Sequence, residues 1–156
     1  MALPPFQSLL DDHGRPVHRF LVASVGPVDA DDCFQEMWVA ALRAYPNLRS
    51  DSNLRGWLMT IAHRKAIDHV RARARRPVPD AEAGVTTAVE DPPASGLDPL
   101  WGRVARLPDK QRTAVALRFL GDLSHAEIGE TMGISEAAAR RNVHEGLQRL
   151  RKEHEL

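Results

Sequence analysis

Apolar side chains recur at three- and four-residue steps along most of this chain and seldom alternate, so the pattern predicts helices rather than strands. In residues 6–24, Phe6, Leu9 and Leu10 form one apolar group, and Val17, Phe20 and Leu21, with Ser24, form another. Gly14 and Pro16 stand between the two and predict a break, and Gly26-Pro27 predicts a stop. A second helix opens at Asp29, with Asp31 and Asp32 also near its positive end. Phe34, Met37, Trp38, Ala41 and Leu42 make its inward stripe, Gln35, Glu36 and Val39 look outward, and Pro46 ends it. The turn-rich stretch YPNLRSDSN, from Tyr45 to Asn53, predicts a loop. A third helix follows from about Leu54 to Arg75. Leu54, Trp57, Leu58, Ile61, Ala62, Ile67 and Val70 are its buried side, and Arg64, Lys65, Arg71, Arg73, Arg75 and Arg76 make the rest cationic. That exceeds what the helix dipole needs at its C-terminus and suits phosphate contact.

The pattern then lapses. Residues 77–98 are proline-rich, acidic and poor in large apolar side chains, the composition of a flexible linker. Helical spacing resumes with Pro99 in a first turn. Leu100, Trp101, Val104 and Leu107 give a short apolar face. Pro108 starts a further helix with Val115, Leu117, Phe119 and Leu120 as its core, closed by Gly121.

From Leu123 to Leu150 the spacing becomes specific. Ser124 with Glu127 three residues on is a capping box. Ile128, Gly129 and Met132 share a face, Gly133 supplies the positive φ that ends a helix, and Ser135 caps the next. Ala139, Val143, Leu147 and Leu150 form the inner stripe of that last helix, with Arg140, Arg141 and His144 opposite. Gly129 lets the two backbones approach, and Ile134 pins them. Helix, tight glycine turn and cationic helix make a helix-turn-helix, whose second helix enters a DNA major groove.

Charge changes the picture only when it is mapped along the chain. Lys and Arg number 21, as do Asp and Glu, so the net charge is zero. Yet residues 51–76 hold seven Lys/Arg against two Asp/Glu, and residues 77–100 hold none against five. DNA responds to such a local face. The single cysteine, Cys33, excludes an intrachain disulfide framework and fits a reducing compartment. Its apolar neighbours point to packing, although a helix start lowers a thiol pKa. No signal peptide or membrane-length apolar run is present, which predicts a cytoplasmic protein with no membrane insertion. The seven histidines lack ligand spacing, so no metal and no cofactor is expected. Nor is there a catalytic constellation, and a non-enzymatic role is expected.

Three blocks carry a family resemblance: DADDCFQEMWVAALRAY, LRGWLMTIAHRKAIDHVRARARR and LPDKQRTAVALRFLGDLSHAEIGETMGISEAAARRNVHEGLQRLR. Their order, with the proline-rich break, resembles an extracytoplasmic-function (ECF, group 4) sigma factor of the sigma-70 family. The resemblance implies an all-α chain of two small helical domains: region 2 at 1–76, a flexible linker at 77–98, and region 4 with the helix-turn-helix at 99–156. It implies that Asp32, Gln35, Glu36 and Trp38 dock on the β′ clamp helices of core RNA polymerase. It places Asn47, Arg49, Asn53, Trp57, Arg64, Lys65, Asp68 and Arg71 at the minus-ten element of promoter DNA. Ser135, Glu136, Ala137, Ala138, Arg140, Arg141 and His144 fall at the minus-35 element, with region 4 also offering a side to the β flap. An anti-sigma factor is the further partner implied. His63-Arg64 stands where many members carry Arg-Asn, and Ala137–Ala139 are small where many carry larger residues. A stand-alone helix-turn-helix regulator and a sigma mimic that only occupies an anti-sigma factor are the competing readings.

Overall fold

The computed structural model describes residues 3–49, 53–75 and 99–155, with side chains through Lys152. Within them the regular structure is helical. The helices are α1 (Phe6–Val25), α2 (Pro27–Ala44), a 3-10 turn (Tyr45–Asn47), α3 (Leu54–Arg75), α4 (Pro99–Ala105), α5 (Asp109–Phe119), α6 (His125–Met132) and α7 (Glu136–Glu155). The expected linker at 77–98 lies outside the described residues.

The predicted break in the first helix does not occur. α1 runs unbroken through Gly14 and Pro16. An internal proline loses one hydrogen bond and costs about 3 kcal/mol. Leu9, Val17, Phe20 and Leu21 of the same helix are almost wholly removed from water, and each such side chain contributes about 1.5–3 kcal/mol. Burial therefore outweighs the lost bond. α2 begins at Pro27, two residues before the predicted Asp29, because proline suits a first helical position.

α1, α2 and α3 pack on one another, with Met37, Ala41, Leu58, Met59 and Ala62 at their meeting surfaces. Phe6 sets its ring edge-on to both Trp38 and Tyr45, at centroid distances of 5.8 and 5.3 Å. The Tyr45 hydroxyl donates to the Pro4 carbonyl, which ties the chain start to the end of α2. In the second half α7 packs on α4, α5 and α6. Its core is aliphatic, with Leu117, Leu120, Leu123 and Ile128 buried beside Ala114, Ala116, Ala139 and Val143.

The two halves meet. α1 packs against α4 and α5, and α3 against α6, so that a continuous apolar cluster runs from Phe20 and Met59 to Leu117, Leu123 and Ile128. Arg73 and Arg141 remain on the surface of this assembly. Four side chains expected inside are instead exposed: Leu42, Val70, Leu100 and Phe119. Each belongs to an apolar helical face but keeps about half of its surface in solvent. Among the described residues, no helix is long and apolar enough to cross a membrane.

Candidate nucleic-acid interface

The helix-turn-helix is built by local bonds. The Glu127 N–H donates to Ser124 Oγ (3.1 Å), and the Ser124 N–H donates to Glu127 Oε1 (3.0 Å), closing the capping box at the start of α6. Gly133 ends α6 at φ 71°, a conformation that costs a side-chain-bearing residue energy. The Ile134 N–H then returns to the Gly129 carbonyl at 2.9 Å. A Cβ on Gly129 would lie 2.7 Å from the Ile134 oxygen, so the crossing of α6 and α7 requires glycine there. Ser135 Oγ accepts from the Ala138 N–H at 3.0 Å and caps α7.

α7 buries Ala139, Val143 and Leu150 against the second half. Its other side presents Ser135, Glu136, Ala137, Arg140, Arg141 and His144 to solvent, with Ala138 half-buried beside them. Arg140 reaches Glu136 one turn earlier at 3.4 Å, an exposed pair of little energetic weight. The predicted minus-35 set therefore forms one continuous, open face at the start of a helix, a place whose N–H groups and cations suit an anion such as phosphate.

The predicted minus-ten set occupies a longer track. Asn47 and Arg49 are exposed beyond the end of α2. Asn53, Trp57, Arg64, Asp68 and Arg71 follow steps of 4, 7, 4 and 3 and share one stripe of α3. Lys65 lies to one side, in a depression shared with Gln35, Glu36, Val39 and Arg43 of α2. Asn53 takes a left-handed conformation, φ 66°, and its Oδ1 accepts from the Gly56 N–H at 3.0 Å, which caps α3. Trp57 is half-buried beside Tyr45, ring centroids 6.1 Å apart. Thr60 lies on the same stripe and was not singled out from the sequence. Its hydroxyl bonds back to the Gly56 carbonyl and meets the Thr131 hydroxyl of α6 at 3.2 Å. Arg73, at the cationic end, is engaged by Asp29 of α2 at 2.7 Å, and His69 stands 3.3 Å from the same carboxylate. Asp29 thus binds α3 as well as favouring its own helix terminus.

On α2, Asp32, Gln35, Glu36, Val39 and Arg43 are exposed along one stripe. Trp38 corrects the sequence reading. It is 7% exposed, packed edge-on against Phe6 and Phe34, and belongs to the core rather than to a docking face. Its place on the Phe34–Met37–Ala41 stripe was the signal that should have decided this.

Burial, reinforced by Glu36, Asp29 and Asp32, pushes the Cys33 thiol up to about 11. The helix start therefore does not activate it, and the thiol stays protonated. Burial and then Arg64 hold the His63 imidazole below its ordinary range. The Ser124 N–H, followed by bonds from the Asn53 and Ser124 side chains, lowers Glu127 against the opposing effect of burial. The described residues include no group of three or more His, Cys, Asp or Glu that could hold a metal.

A helical half with a cationic track and a second half ending in a helix-turn-helix define a two-part DNA-binding protein. Sigma-70 region 2 matches residues 9–76, and sigma-70 region 4 matches residues 97–150. The ECF RNA polymerase sigma factor SigW of Bacillus subtilis is 30% identical, over 95% of this chain and 88% of SigW. SigE of Mycolicibacterium smegmatis, also an ECF sigma factor, is 31% identical over 96% of this chain and 62% of SigE. The RNA polymerase sigma factor CarQ of Myxococcus xanthus is 31% identical over 97% of this chain and 90% of CarQ. The chain belongs to the ECF sigma factors of the sigma-70 family, and its function is promoter recognition and initiation of transcription by RNA polymerase. Among solved structures, the fold is similar to RpoE of Bartonella quintana in complex with the anti-sigma factor NepR (TM-score 0.70, 20% identity, covering 96% of each chain). It is also similar to CnrH in complex with the cytosolic domain of CnrY (TM-score 0.65, 21% identity, covering 96% of this chain and 87% of CnrH).

Proposed function

We propose that three separate faces divide the work of initiation. The exposed stripe of α2, Asp32, Gln35 and Glu36 with Val39 at its centre, docks on the β′ clamp helices. An acidic and amidic helix face around one apolar residue suits a basic helical partner. The α3 track and the residues before it read and open the minus-ten element: Asn47, Arg49 and Asn53 offer polar groups, Trp57 a stacking surface, and Arg64, Lys65 and Arg71 cations for the strand. The open end of α7 reads the minus-35 element. There Ala137 and Ala138 touch thymine methyl groups at most, and Arg140, Arg141 and His144 supply phosphate, base-edge and shape contacts.

The carrying observation is that the chain pairs a cationic strand-tracking helix in one half with a prebuilt helix-turn-helix in the other. A stand-alone regulator would leave the α2 stripe and the α3 track without a task. The decisive measurement is transcription with purified core RNA polymerase on genomic fragments. Promoter-dependent transcripts are expected only when the protein is added; complete failure on all fragments would overturn the reading.

A regulatory partner is part of the proposal. The sigma factor RpoE, whose fold this chain shares, is bound by the anti-sigma factor NepR, and we infer that an anti-sigma protein holds this chain too. A cleft of about 330 Å³ between the halves is lined by the apolar Ile67, Val70, Met132 and Ile134, and by three cations, Arg71, Lys110 and Arg112, against one acid, Asp109. Such a cleft suits an amphipathic, acidic segment. Co-purification from the native cell, followed by loss of complex with Lys110→Glu, is the expected result.

A further inference from the structure

We propose that Glu145 of α7, held by Gln111 of α5, is a further specificity-determining residue of the minus-35 reader: its carboxylate accepts the N4 amine of a cytosine in the major groove. This rests on the assignment of the open end of α7 to the minus-35 element.

The face that α7 turns to solvent is cationic, and Glu145 is out of keeping with it. Its side chain is exposed and stands between Arg141, one turn before, and Arg149, one turn after, both exposed on the same side. Glu136, at the start of the face, is taken up by Arg140 at 3.4 Å. Glu145 is bound instead by a neutral group, since Gln111 Nε2 donates to its Oε2 at 3.2 Å. That bond fixes the carboxylate and leaves its charge in place. The hold is built into the packing of α5 on α7. A Cβ on Gly146 would stand 2.7 Å from Val115 Cγ2 and 3.5 Å from Gln111 Cβ, so glycine brings the two helices together at this point. Gln111 is only 9% exposed, and its Oε1 finds no hydrogen-bond partner among the described residues. A buried amide with one end unpaired is costly, and leucine would pack in its place without that cost. The gain from Gln111 therefore lies in fixing Glu145.

Chemistry selects the target. Phosphate repels a carboxylate, so an acid on a DNA-facing helix is favourable only where a donor meets it. In the major groove the donors are the amines at cytosine N4 and adenine N6, and a carboxylate has acceptors alone to offer them. Adenine sets the acceptor N7 beside its amine, which repels a carboxylate, whereas cytosine's own edge carries the donor alone. Arg141 and Arg149 on either side suit the flanking phosphates.

The test is transcription by the holoenzyme, core RNA polymerase with the full chain, from a promoter mapped by start-site sequencing. Each base pair of the minus-35 segment is changed in turn. Each of its cytosines is also replaced by N4-methylcytosine, which still pairs with guanine but loses the amine hydrogen that faces the groove. With the parent chain, one C·G pair is expected at which either change lowers transcription about tenfold. With Glu145→Ala that sensitivity should vanish while sensitivity at the other positions remains. Gln111→Leu, which keeps the packing, should reduce it in part at the same base pair. A merely structural role would lower transcription on all templates alike. That result in Glu145→Ala, or an unchanged base pattern, overturns the inference; so does an equal rise on all templates, which would mark a plain repulsive charge. If the parent holoenzyme transcribes yet ignores every minus-35 change, the minus-35 assignment fails, and this inference falls with it while sigma activity stands.

Discussion

The two proposed DNA readers of this chain, for the minus-ten and the minus-35 element, are built on opposite plans. The minus-35 reader is a local device: two caps, one left-handed glycine and one glycine crossing set α6 against α7 within about two dozen residues. The minus-ten reader is spread along α3 and the loop before it, and its leading end is covered by a helix from the other half. A reader made by local bonds stays formed and open whatever the halves do. One made by tertiary placement can be switched by moving the halves. The contrast is also one of packing: Phe20, Trp38, Met37 and Met59 are buried in the first half, whereas leucine, isoleucine, valine and alanine fill the second.

The sharpest way to break the local device is Gly129→Val. The new Cβ would stand 2.7 Å from a backbone oxygen that has no freedom to retreat. Overpacking of this kind costs about 1–3 kcal/mol, and the altered crossing should abolish minus-35 duplex binding while core polymerase binding by the first half persists. Electrophoretic mobility shift and polymerase pull-down, run on the same preparation, separate the two. Arg141→Ala should weaken minus-35 binding by about 1–3 kcal/mol if it reads a base edge. A loss equal on all sequences, with a shallower salt dependence, would assign it to phosphate instead.

Glu36→Lys addresses the docking stripe. It reverses one exposed charge on α2, so circular dichroism should be unchanged while affinity for core polymerase falls by about 1 kcal/mol or more. Unchanged affinity would leave that face idle. Ser124→Ala removes one cap of α6 and should cost about 1 kcal/mol of stability. The backbone N–H of residue 124 still holds the Glu127 carboxylate in this variant, so the contact with Asn53 should persist and amide exchange at Gly56 should stay unchanged.

The smallest effect concerns pH. His63 is held below its ordinary value of 6.5 by burial and Arg64, and His13 by burial and Arg55. Folding keeps both rings neutral. The stability they contribute is therefore complete above about pH 6.5 and is lost as pH falls below it, because the unfolded chain takes up the protons first. Melting temperature should decline from about pH 7 to about pH 5.5, and His63→Gln should flatten part of that slope. A flat profile in the parent chain would show that neither ring resists protonation.

Much of this was legible in the residues. Ser124, Glu127, Gly129, Gly133 and Ser135 lie within one stretch, and each acts on near neighbours, so their spacing alone predicted the helix-turn-helix. The stripe Phe34, Met37, Trp38, Ala41 likewise predicted which side of α2 turns inward, and assigning Trp38 to the surface went against that pattern. Pro16 misled because a local rule was applied where distant burial prevails. Val70, Leu100 and Phe119 misled because periodicity states which residues share a face but not how far the covering helix extends.

By itself the sequence determined the helices, their caps, the turn of the helix-turn-helix and the segregation of charge, since these depend on bonds and periodicities spanning a few residues. Only the tertiary structure decided that α1 stays whole, that Arg73 is held by Asp29, and that Glu127 meets Asn53 from 74 positions away. Such contacts depend on how two packed surfaces happen to fit, and no short-range pattern encodes the fit of surfaces distant along the chain.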